Sequence, residues 1–427
     1  MPRPLSRRDF AGLLGTSGLF LWQAKAFAAA DTPPQPLPEA PKNPDERYWS
    51  TVRYQFLMPG EVALLNAANL CPSSGPVLED VYAATREMDR TPSPAYREKM
   101  HEAKEVTRRQ IAAFLGVTPE EIVITRNTSE SNNLVSNGVD LKAGDEVLLF
   151  ADNHPSNDVA WKEKARRFGY TVKVVETVSP HPGDEYYLEA FTKAMTSRTK
   201  VLAFTHLTST VGDLFPAKEL CRIARERGVL TLVDGAQSFG LLDFNLRDLD
   251  PDFYTASAHK WACGPKEAGL LFINRRSQER VWPSIYSAYP GQIGVSKTFE
   301  AFGQRDEPAI QAFGKALELQ TRIGRKAIEA RARELAQALI AGLRSLKDVK
   351  IWTSPDPTRS LAIVSFQPGS LDPRKLTFAL YEKDRIVCAT RAGADRPGIR
   401  ISPHLYNSHA EVDRAVAAVK RFLSTGV

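Results

Sequence analysis

Short apolar runs alternate with amphipathic stretches between residues 121 and 274. Helical patterns begin near Ser129, Asn157 and Pro216, each after one of these runs. Runs that are rich in β-branched residues and lack polar alternation are typical of strands buried on both faces. The pattern therefore predicts an α/β domain in which helices cover a mainly parallel sheet. The predicted strands are EIVIT, EVLLFA, TVKVVE, KVLAFTH, VLTLVD, DFYTAS and GLLFIN.

A different pattern follows in the C-terminal part of the chain. Residues from about Pro308 to Leu346 are rich in Ala, Leu and Arg, which predicts a long linking helix. LAIVSFQ, RIVCAT and GIRIS then predict strands, and helical patterns cover 373–383 and 410–423. We expect a large domain over 62–307, then the linking helix and a small α+β domain over 308–427. A length of 427 residues suits two hydrophobic cores.

The N-terminal residues have the features of an export signal. Arg7-Arg8 precedes an apolar run from Phe10 to Trp22 and a small-residue end at Ala26 to Ala30. The run is too short to cross a bilayer as a mature helix. We expect a twin-arginine signal peptide over 1–30, export through the twin-arginine machinery and a periplasmic location. The alternative is an accidental Arg-Arg pair before a buried helix.

Six prolines follow the predicted signal, between Asp31 and Asp45. They exclude helix there, because proline lacks the backbone donor that a helix interior needs. We expect a Pro-rich N-terminal arm over 31–61, with the folded domain beginning at Val62.

Charge and cysteine usage limit the possible partners. The net charge of +6 is modest and its Lys and Arg residues are dispersed, so nucleic acid is not expected as a partner. The four cysteines have no C-x-x-C spacing, and the seven histidines are scattered, so we expect neither a disulfide nor a metal site. An anionic cofactor and an acidic substrate suit the basic balance better.

Two segments carry the candidate chemistry. TLVDGAQS reads as a buried strand that delivers Asp234 at its end, and TASAHKWACGP places Lys260 after a histidine and a run of small residues. Taken singly, an Asp-Gly pair is more often a turn, and a lysine is more often a solvated surface residue. Together they suit a pyridoxal 5'-phosphate (PLP) site, with Lys260 as the Schiff-base amine and Asp234 on the pyridine nitrogen.

Other strand ends add polar candidates. In an open parallel sheet, ligands bind outside the carboxyl ends of the strands. Thr128 and Ser129 begin a predicted helix after one strand and can hold a phosphate there, or serve only as a helix cap. His154 follows another strand and can lie over an aromatic ring, or face solvent in a loop.

Six motifs in order give the chain a family resemblance over most of its length. The chain resembles aminotransferase class V, a fold-type I PLP-dependent family that includes cysteine desulfurases, kynureninases and isopenicillin-N-epimerase-like enzymes. The DGAQ and SAHKW elements are the specific ones. The motifs are LNAAN at 65–69, TRNTSESNNLV at 125–135, NHPSN at 153–157, LVDGAQSFG at 232–240, DFYTASAHKWACGP at 252–265 and IRISPHLYN at 399–407.

The resemblance implies a role for each matching residue. His154 would stack on the cofactor ring and act in catalysis beside Lys260 and Asp234. A Gly-Thr of the partner subunit commonly completes the phosphate site, and Gly303-Gln304 stands at that place, so a homodimer is expected. Ser209 replaces an Asn beneath the ring, as in the epimerase-like branch. The other implied contacts are Gln237 to the ring hydroxyl, Thr128, Ser129 and His259 to the phosphate, and Arg400 and Asn69 to the substrate, with Arg400 on its α-carboxylate.

One departure from the family narrows the chemistry. Desulfurases carry a nucleophilic cysteine shortly before the carboxylate arginine, and TRAGADRP at 390–397 has none. Racemisation, transamination, decarboxylation and β-elimination remain open. We expect an exported PLP-dependent enzyme acting on an amino-acid group, such as the glutamyl group of a siderophore precursor. An epimerase or aminotransferase for another exported metabolite, or a non-catalytic binding protein, are the alternatives.

Overall fold

The computed structural model describes residues 37–391 and 395–427. The predicted signal peptide and residues 31–36 of the arm lie outside this part. The first elements, numbered in chain order, are α1 Glu46–Arg53, β1 Ala63–Leu64, α2 Gly75–Arg90, α3 Pro94–Leu115, β2 Ile122–Thr125, α4 Thr128–Gly138, β3 Glu146–Phe150, α5 Pro155–Phe168, β4 Thr171–Val175, α6 Asp184–Ala194, β5 Thr199–Thr205, α7 Ala217–Glu226, β6 Leu230–Asp234, α8 Leu246–Leu249, β7 Phe253–Ser257 and β8 Gly269–Ile273. Those that follow are α9 Ser296–Phe299, α10 Glu307–Ile323, α11 Arg325–Arg344, β9 Val349–Ile351, β10 Val364–Pro368, α12 Pro373–Asp384, β11 Ile386–Val387, β12 Ala389–Arg391, β13 Gly398–Ile401 and α13 His409–Thr425.

A seven-stranded sheet organises the larger part of the fold. Its strand order is β2-β8-β7-β6-β5-β3-β4. All neighbours from β7 to β4 are parallel, and β8 alone runs antiparallel to both β2 and β7. Every residue of β2, β3, β6, β7 and β8 is buried, as expected for strands covered on both faces. The predicted α/β fold with a mainly parallel, helix-covered sheet is confirmed.

Two apolar clusters fill the two faces of this sheet. One cluster contains Phe114 and Phe313 from the covering helices, packed with strand residues such as Phe204. The other contains Leu134 and Trp161, packed with strand residues on the opposite face. Successive side chains of a strand point to opposite faces of the sheet, so a strand that contacts both clusters needs apolar residues at consecutive positions.

A smaller antiparallel sheet forms the C-terminal layer. Its order is β12-β13-β10-β9, and α11, α12 and α13 contribute buried apolar side chains against it. The short β1 pairs in parallel with β11, so the segment after the N-terminal arm is tied to this layer. The predicted α+β character is confirmed, while the boundary at 307/308 stays a prediction.

The predicted linking helix is divided into two helices. α10 ends and α11 begins at Gly324, whose φ is +91°. Glycine adopts that conformation without the steric cost a Cβ would bring. The composition of 308–346 predicted helix correctly, and the single unbroken helix was wrong because Gly324 was passed over.

The parallel arrangement places several loops at one edge of the large sheet. The residues after β2, β3, β5, β6 and β7 all leave from the carboxyl ends of their strands. No helix of the described residues is long and apolar enough to cross a membrane.

Candidate active site

Asp234 ends β6 and lies in a fixed orientation. Its side chain is buried, and its Oδ2 accepts a hydrogen bond from Nδ2 of Asn132 at 3.0 Å. Its Oδ1 accepts from the N–H of Ala236, also at 3.0 Å. Thr255 in turn donates to Oδ1 of Asn132 at 2.8 Å, which fixes the amide. Because each carboxylate oxygen can accept more than one hydrogen bond, a ring N–H can be added.

Lys260 lies in a tight loop directly after β7. The loop is closed by the N–H of Cys263 donating to the Lys260 carbonyl at 2.9 Å and that of Gly264 donating to Ala258 at 2.8 Å. Burial lowers the pKa of Lys260 to about 8, although Asp234 opposes this effect and Arg400 adds to it. With that pKa about 9% of the amine is neutral at pH 7, against about 0.03% at the ordinary value of 10.5. The loop therefore holds an amine that can act as a nucleophile.

His154 caps the N-terminus of α5. Its Nδ1 accepts from the N–H of Ser156 at 3.2 Å, which fixes the ring relative to the helix. The loss of water around the ring lowers the pKa of His154, and the charge of Lys260 lowers it further. The lowered pKa favours the neutral imidazole at pH 7, the side chain is exposed, and the stacking of His154 on a cofactor ring stays a prediction.

Two of the predicted phosphate residues, Thr128 and Ser129, begin α4, and the third, His259, lies in the loop after β7. The N–H of Thr128 donates to Oγ of Ser257 at 2.8 Å, and the two hydroxyls are 2.7 Å apart. Ser129 is exposed at the same helix end. Nδ1 of His259 is buried without a hydrogen-bond partner in the structure, and burial lowers the pKa of His259 to about 4. Sequence reasoning missed Ser257, although its position at the end of β7 was a signal for it.

Gln237 links the lysine loop to the segment after β1. Its Nε2 donates to the carbonyl of Ala68 at 2.9 Å, and its Oε1 accepts from Nε1 of Trp261 at 2.7 Å. The second N–H of the Gln237 amide has no partner among these contacts and is free to donate to a ring hydroxyl. That contact stays a prediction.

The connecting segment, residues 63–71, contacts both layers. Its β1 pairs with β11, its Ala67 N–H donates to the carbonyl of Ser402 at 3.0 Å, and its Cys71 N–H donates to the carbonyl of His259 at 2.9 Å. The segment thus joins β11 and the residue that follows β13 to the loop that carries Lys260.

Arg400 projects from β13 toward the same region. Its Nη1 donates to the carbonyl of Ser209 at 2.6 Å, its Nη2 donates to Oδ1 of Asn66 at 3.3 Å, and its buried Nε has no partner. Burial lowers the pKa of Arg400 to about 10, and the charge of Arg391 contributes, so the group stays charged at pH 7.

The predicted contacts of Ser209 with the ring and of Asn69 with the substrate stay predictions. Ser209 reaches Arg400 through its backbone carbonyl. The side chain of Asn69 is exposed, and Asn66 of the same LNAAN motif is the residue that contacts Arg400. Sequence reasoning missed Asn66 because both asparagines fit the motif equally well.

Gln304 is not brought to this group within the described chain. Its Nε2 donates to Oε1 of Glu307 at 2.8 Å. It lines a separate cavity of about 650 Å³ together with Tyr96, Lys104 and Arg305, and no other predicted site residue lines that cavity. Its contribution to the phosphate site of a partner subunit stays a prediction.

All four cysteines are free and buried. Folding brings ligand atoms of Cys71, Cys263 and His404 within 4.8 Å of one another. The hydroxyl of Tyr406 donates to Sγ of Cys71 at 3.4 Å. A search for local spacing could not find this group, because its members are far apart in the sequence. A second group of possible metal ligands, partly exposed, consists of Glu46, Glu334 and His409.

The donor set fits PLP. The amine of Lys260, the buried carboxylate of Asp234 and the unpartnered Nδ1 of His259 match the aldehyde, ring nitrogen and phosphate that would need them. On a mainly parallel sheet with these groups at its carboxyl edge, they define a PLP-dependent enzyme of fold type I. The model of the family "Aminotransferase class-V" matches residues 77–415, and the chain belongs to that family.

Known proteins support the same classification. The chain is 32% identical to isopenicillin N epimerase from Amycolatopsis lactamdurans, with 87% of this chain and 98% of the relative covered. It is 30% identical to a cysteine desulfurase from Haloferax volcanii, covering 73% and 76%. A structure of a C-DES mutant with glycine covalently linked to its PLP cofactor superposes with a TM-score of 0.80 at 25% identity, covering 86% and 98%.

The residues have separable tasks in such an enzyme. PLP, when bound, supplies a ring that accepts electrons from the substrate's Cα. Asp234 is positioned to keep a ring nitrogen protonated, since its carboxylate is already fixed by two donors. Lys260 can accept and return a proton at Nζ near neutral pH, because its pKa is about 8. Arg400 would hold the substrate's α-carboxylate and so orient its Cα.

Proposed function

We propose that the chain is an exported PLP-dependent enzyme that modifies the glutamyl group of a pyoverdine siderophore precursor in the periplasm. The amino-acid part of this proposal is carried by Arg400. Among the described residues it has no carboxylate within ion-pair distance, and its charge acts on Lys260. An amino-acid substrate has a carboxylate that can pair with Arg400 and an amine that can react with the cofactor aldehyde at Lys260.

The export part of the proposal rests on the sequence. Arg7-Arg8 and the apolar run that follows are the support for a twin-arginine signal, and they lie outside the described residues. Most PLP enzymes serve cytoplasmic amino-acid metabolism, so export favours a substrate completed in the periplasm. The chain resembles the periplasmic PLP enzyme of pyoverdine maturation in this combination of signal and family.

A second candidate is an epimerase or aminotransferase for another exported metabolite. Two observations favour it: the similarity to isopenicillin N epimerase, and Ser209 in place of the Asn expected beneath the ring. Sulfur transfer through the loop before Arg400 is disfavoured, because 390–397 contains no cysteine. A binding protein that kept the fold without catalysis is a third candidate.

Product mass tests the substrate. The purified holoenzyme is incubated with the glutamyl precursor, and the Lys260→Ala variant serves as the control. We expect a mass change with the wild type alone. An unchanged mass in ordinary water, with no solvent deuterium entering the precursor in deuterated water, from protein that carries cofactor would rule out this substrate. Solvent deuterium entering Cα without a change of skeleton identifies an epimerase, and no turnover of any amino acid identifies a binder.

Cell fractionation tests the location. We expect the mature chain in the periplasm, and we expect the double variant Arg7→Lys, Arg8→Lys to remain in the cytoplasm with its cofactor bound. A wild-type chain that stays cytoplasmic would refute export but leave the chemistry at Lys260 untouched.

A further inference from the structure

Arg391 lies on the same face of the C-terminal sheet as Arg400. The register of β12 against β13 pairs Ala389 with Arg400 and Arg391 with Gly398. Opposed residues of an antiparallel pair point to the same face, and so do residues two apart on one strand. Arg391 and Arg400 are therefore diagonal neighbours on that face, at a separation that long side chains can bridge.

The carboxylates near Arg391 are already engaged by another arginine. Arg396 is buried and pairs with Asp152 at 3.1 Å and with Asp395 at 2.8 Å. Arg391 is half-buried and donates from Nε to the carbonyl of Arg396 at 3.4 Å. Among the described residues, no carboxylate lies within ion-pair distance of Arg391, although Asp152 and Asp395 act on it from further away.

The two arginines repel each other. Burial lowers the pKa of Arg400, and the charge of Arg391 lowers it further. Two partly buried like charges on one face are costly unless anions neutralise them. A substrate α-carboxylate would neutralise Arg400 alone, which leaves Arg391 without a direct ion pair.

We propose that Arg391 is a second anion site, which binds a carboxylate at the distal end of an amino-acid substrate while Arg400 binds its α-carboxylate. The substrate class is then an amino dicarboxylic acid or a derivative with a free distal carboxylate. This inference rests on the proposed binding of an amino acid at Arg400. It competes with the siderophore precursor as substrate, because a glutamyl group whose amine and α-carboxylate are both free is joined to a precursor through its distal carboxylate.

Calorimetry with amine-free acids tests the site without any chemistry at Lys260. Dicarboxylates from malonate to adipate are titrated into the holoenzyme, and each is compared with the monocarboxylate of equal chain length. We expect one dicarboxylate length to bind roughly tenfold to a hundredfold more tightly than its monocarboxylate partner. Equal affinities at every length in the wild type would overturn the proposal.

Variants separate recognition from a structural role. Arg391→Gln should reduce the preferred dicarboxylate to the affinity of the monocarboxylate, whereas Arg391→Lys should retain part of the preference because it keeps the charge. Arg374→Gln, which removes an exposed arginine from the start of α12, is the matched control and should change neither affinity. If Arg391→Gln weakens the binding of the dicarboxylate and the monocarboxylate equally, and Arg391→Lys restores neither affinity, Arg391 has only a structural role through its hydrogen bond to the Arg396 carbonyl.

The outcome is distinguishable from failure of the proposed function. If the precursor is not modified but the dicarboxylate preference exists and depends on Arg391, the second anion site stands and the siderophore assignment fails. If cofactor absorbance is normal in every variant and no preference exists, the site itself is refuted.

Discussion

The pH dependence of cofactor attachment should report the environment of Lys260. Only the neutral amine attacks an aldehyde, and burial lowers the pKa of Lys260 from 10.5 to about 8. At pH 7 the neutral fraction is then about 300-fold larger than for a solvated lysine. The rate of attachment should therefore rise with pH and level off above a midpoint near 8.

The neighbouring charges shift this midpoint in opposite directions. Asp234 raises the pKa of Lys260, so Asp234→Asn should move the midpoint to lower pH. Arg400 lowers that pKa, so Arg400→Met should move the midpoint to higher pH. Asp234→Asn should also reduce turnover by roughly a hundredfold or more, because an Asn cannot hold a ring nitrogen protonated. The two readouts thus separate the effect on the amine from the effect on the ring.

Stopped-flow absorbance can measure the pH midpoint of cofactor attachment in the wild type and in both variants. Apoprotein is mixed with PLP between pH 6 and pH 10, with N-acetyl-lysine as the solvated reference and Lys260→Ala as the blank. A wild-type midpoint indistinguishable from that of N-acetyl-lysine would refute a desolvated Lys260. Shifts of the two variants in the same direction would refute the opposed charges.

Three further substitutions test the scaffold around the site. Arg108→Met should lower the free energy of unfolding by about 3–5 kcal/mol in urea titrations, since it removes the ion pair of the buried Glu105 at 2.9 Å and leaves the buried Glu300 with Lys104 at 3.7 Å; a change below 1 kcal/mol would contradict this. Gly240→Ala should lower Tm and cofactor content together, because φ is +77° and a Cβ would lie 2.5 Å from the N of Ala262 in the lysine loop; unchanged cofactor absorbance would count against it. Asp213→Asn should raise Tm at pH 8: burial raises the pKa of Asp213 to about 7, so the wild type loses stability as pH rises from about 4 to 7, and a gain that is equal at pH 4 and pH 8 would refute the linkage.

Local sequence was enough for the sheet and for the two central residues. The strands were predictable because a strand covered on both faces needs an unbroken apolar run, and such runs are rare elsewhere in the chain. Asp234 and Lys260 were predictable because each follows a strand, and the ends of parallel strands share one edge. The break between α10 and α11 was also predictable, because a glycine within a helical pattern often ends a helix.

Contacts across the chain were beyond the reach of such patterns. The choice of Asn66 over Asn69 at Arg400 depends on how the connecting segment meets β13. The shared face of Arg391 and Arg400 depends on the register of two short strands, and a shift of one residue would have placed them on opposite faces. Tertiary packing determines both of these arrangements, and the local pattern of hydrophobic residues does not predict either of them.

The connecting segment links the two parts of the site through its main chain. Residues 63–71 begin by pairing with β11, their Ala67 N–H donates to the carbonyl of Ser402, two residues after Arg400, and their last residue is bonded to His259, next to Lys260. Main-chain hydrogen bonds therefore link the end of the strand that bears Arg400 to the loop that bears Lys260. Exchange of the side chains of the pocket can change which distal group is accepted, while these main-chain hydrogen bonds stay in place.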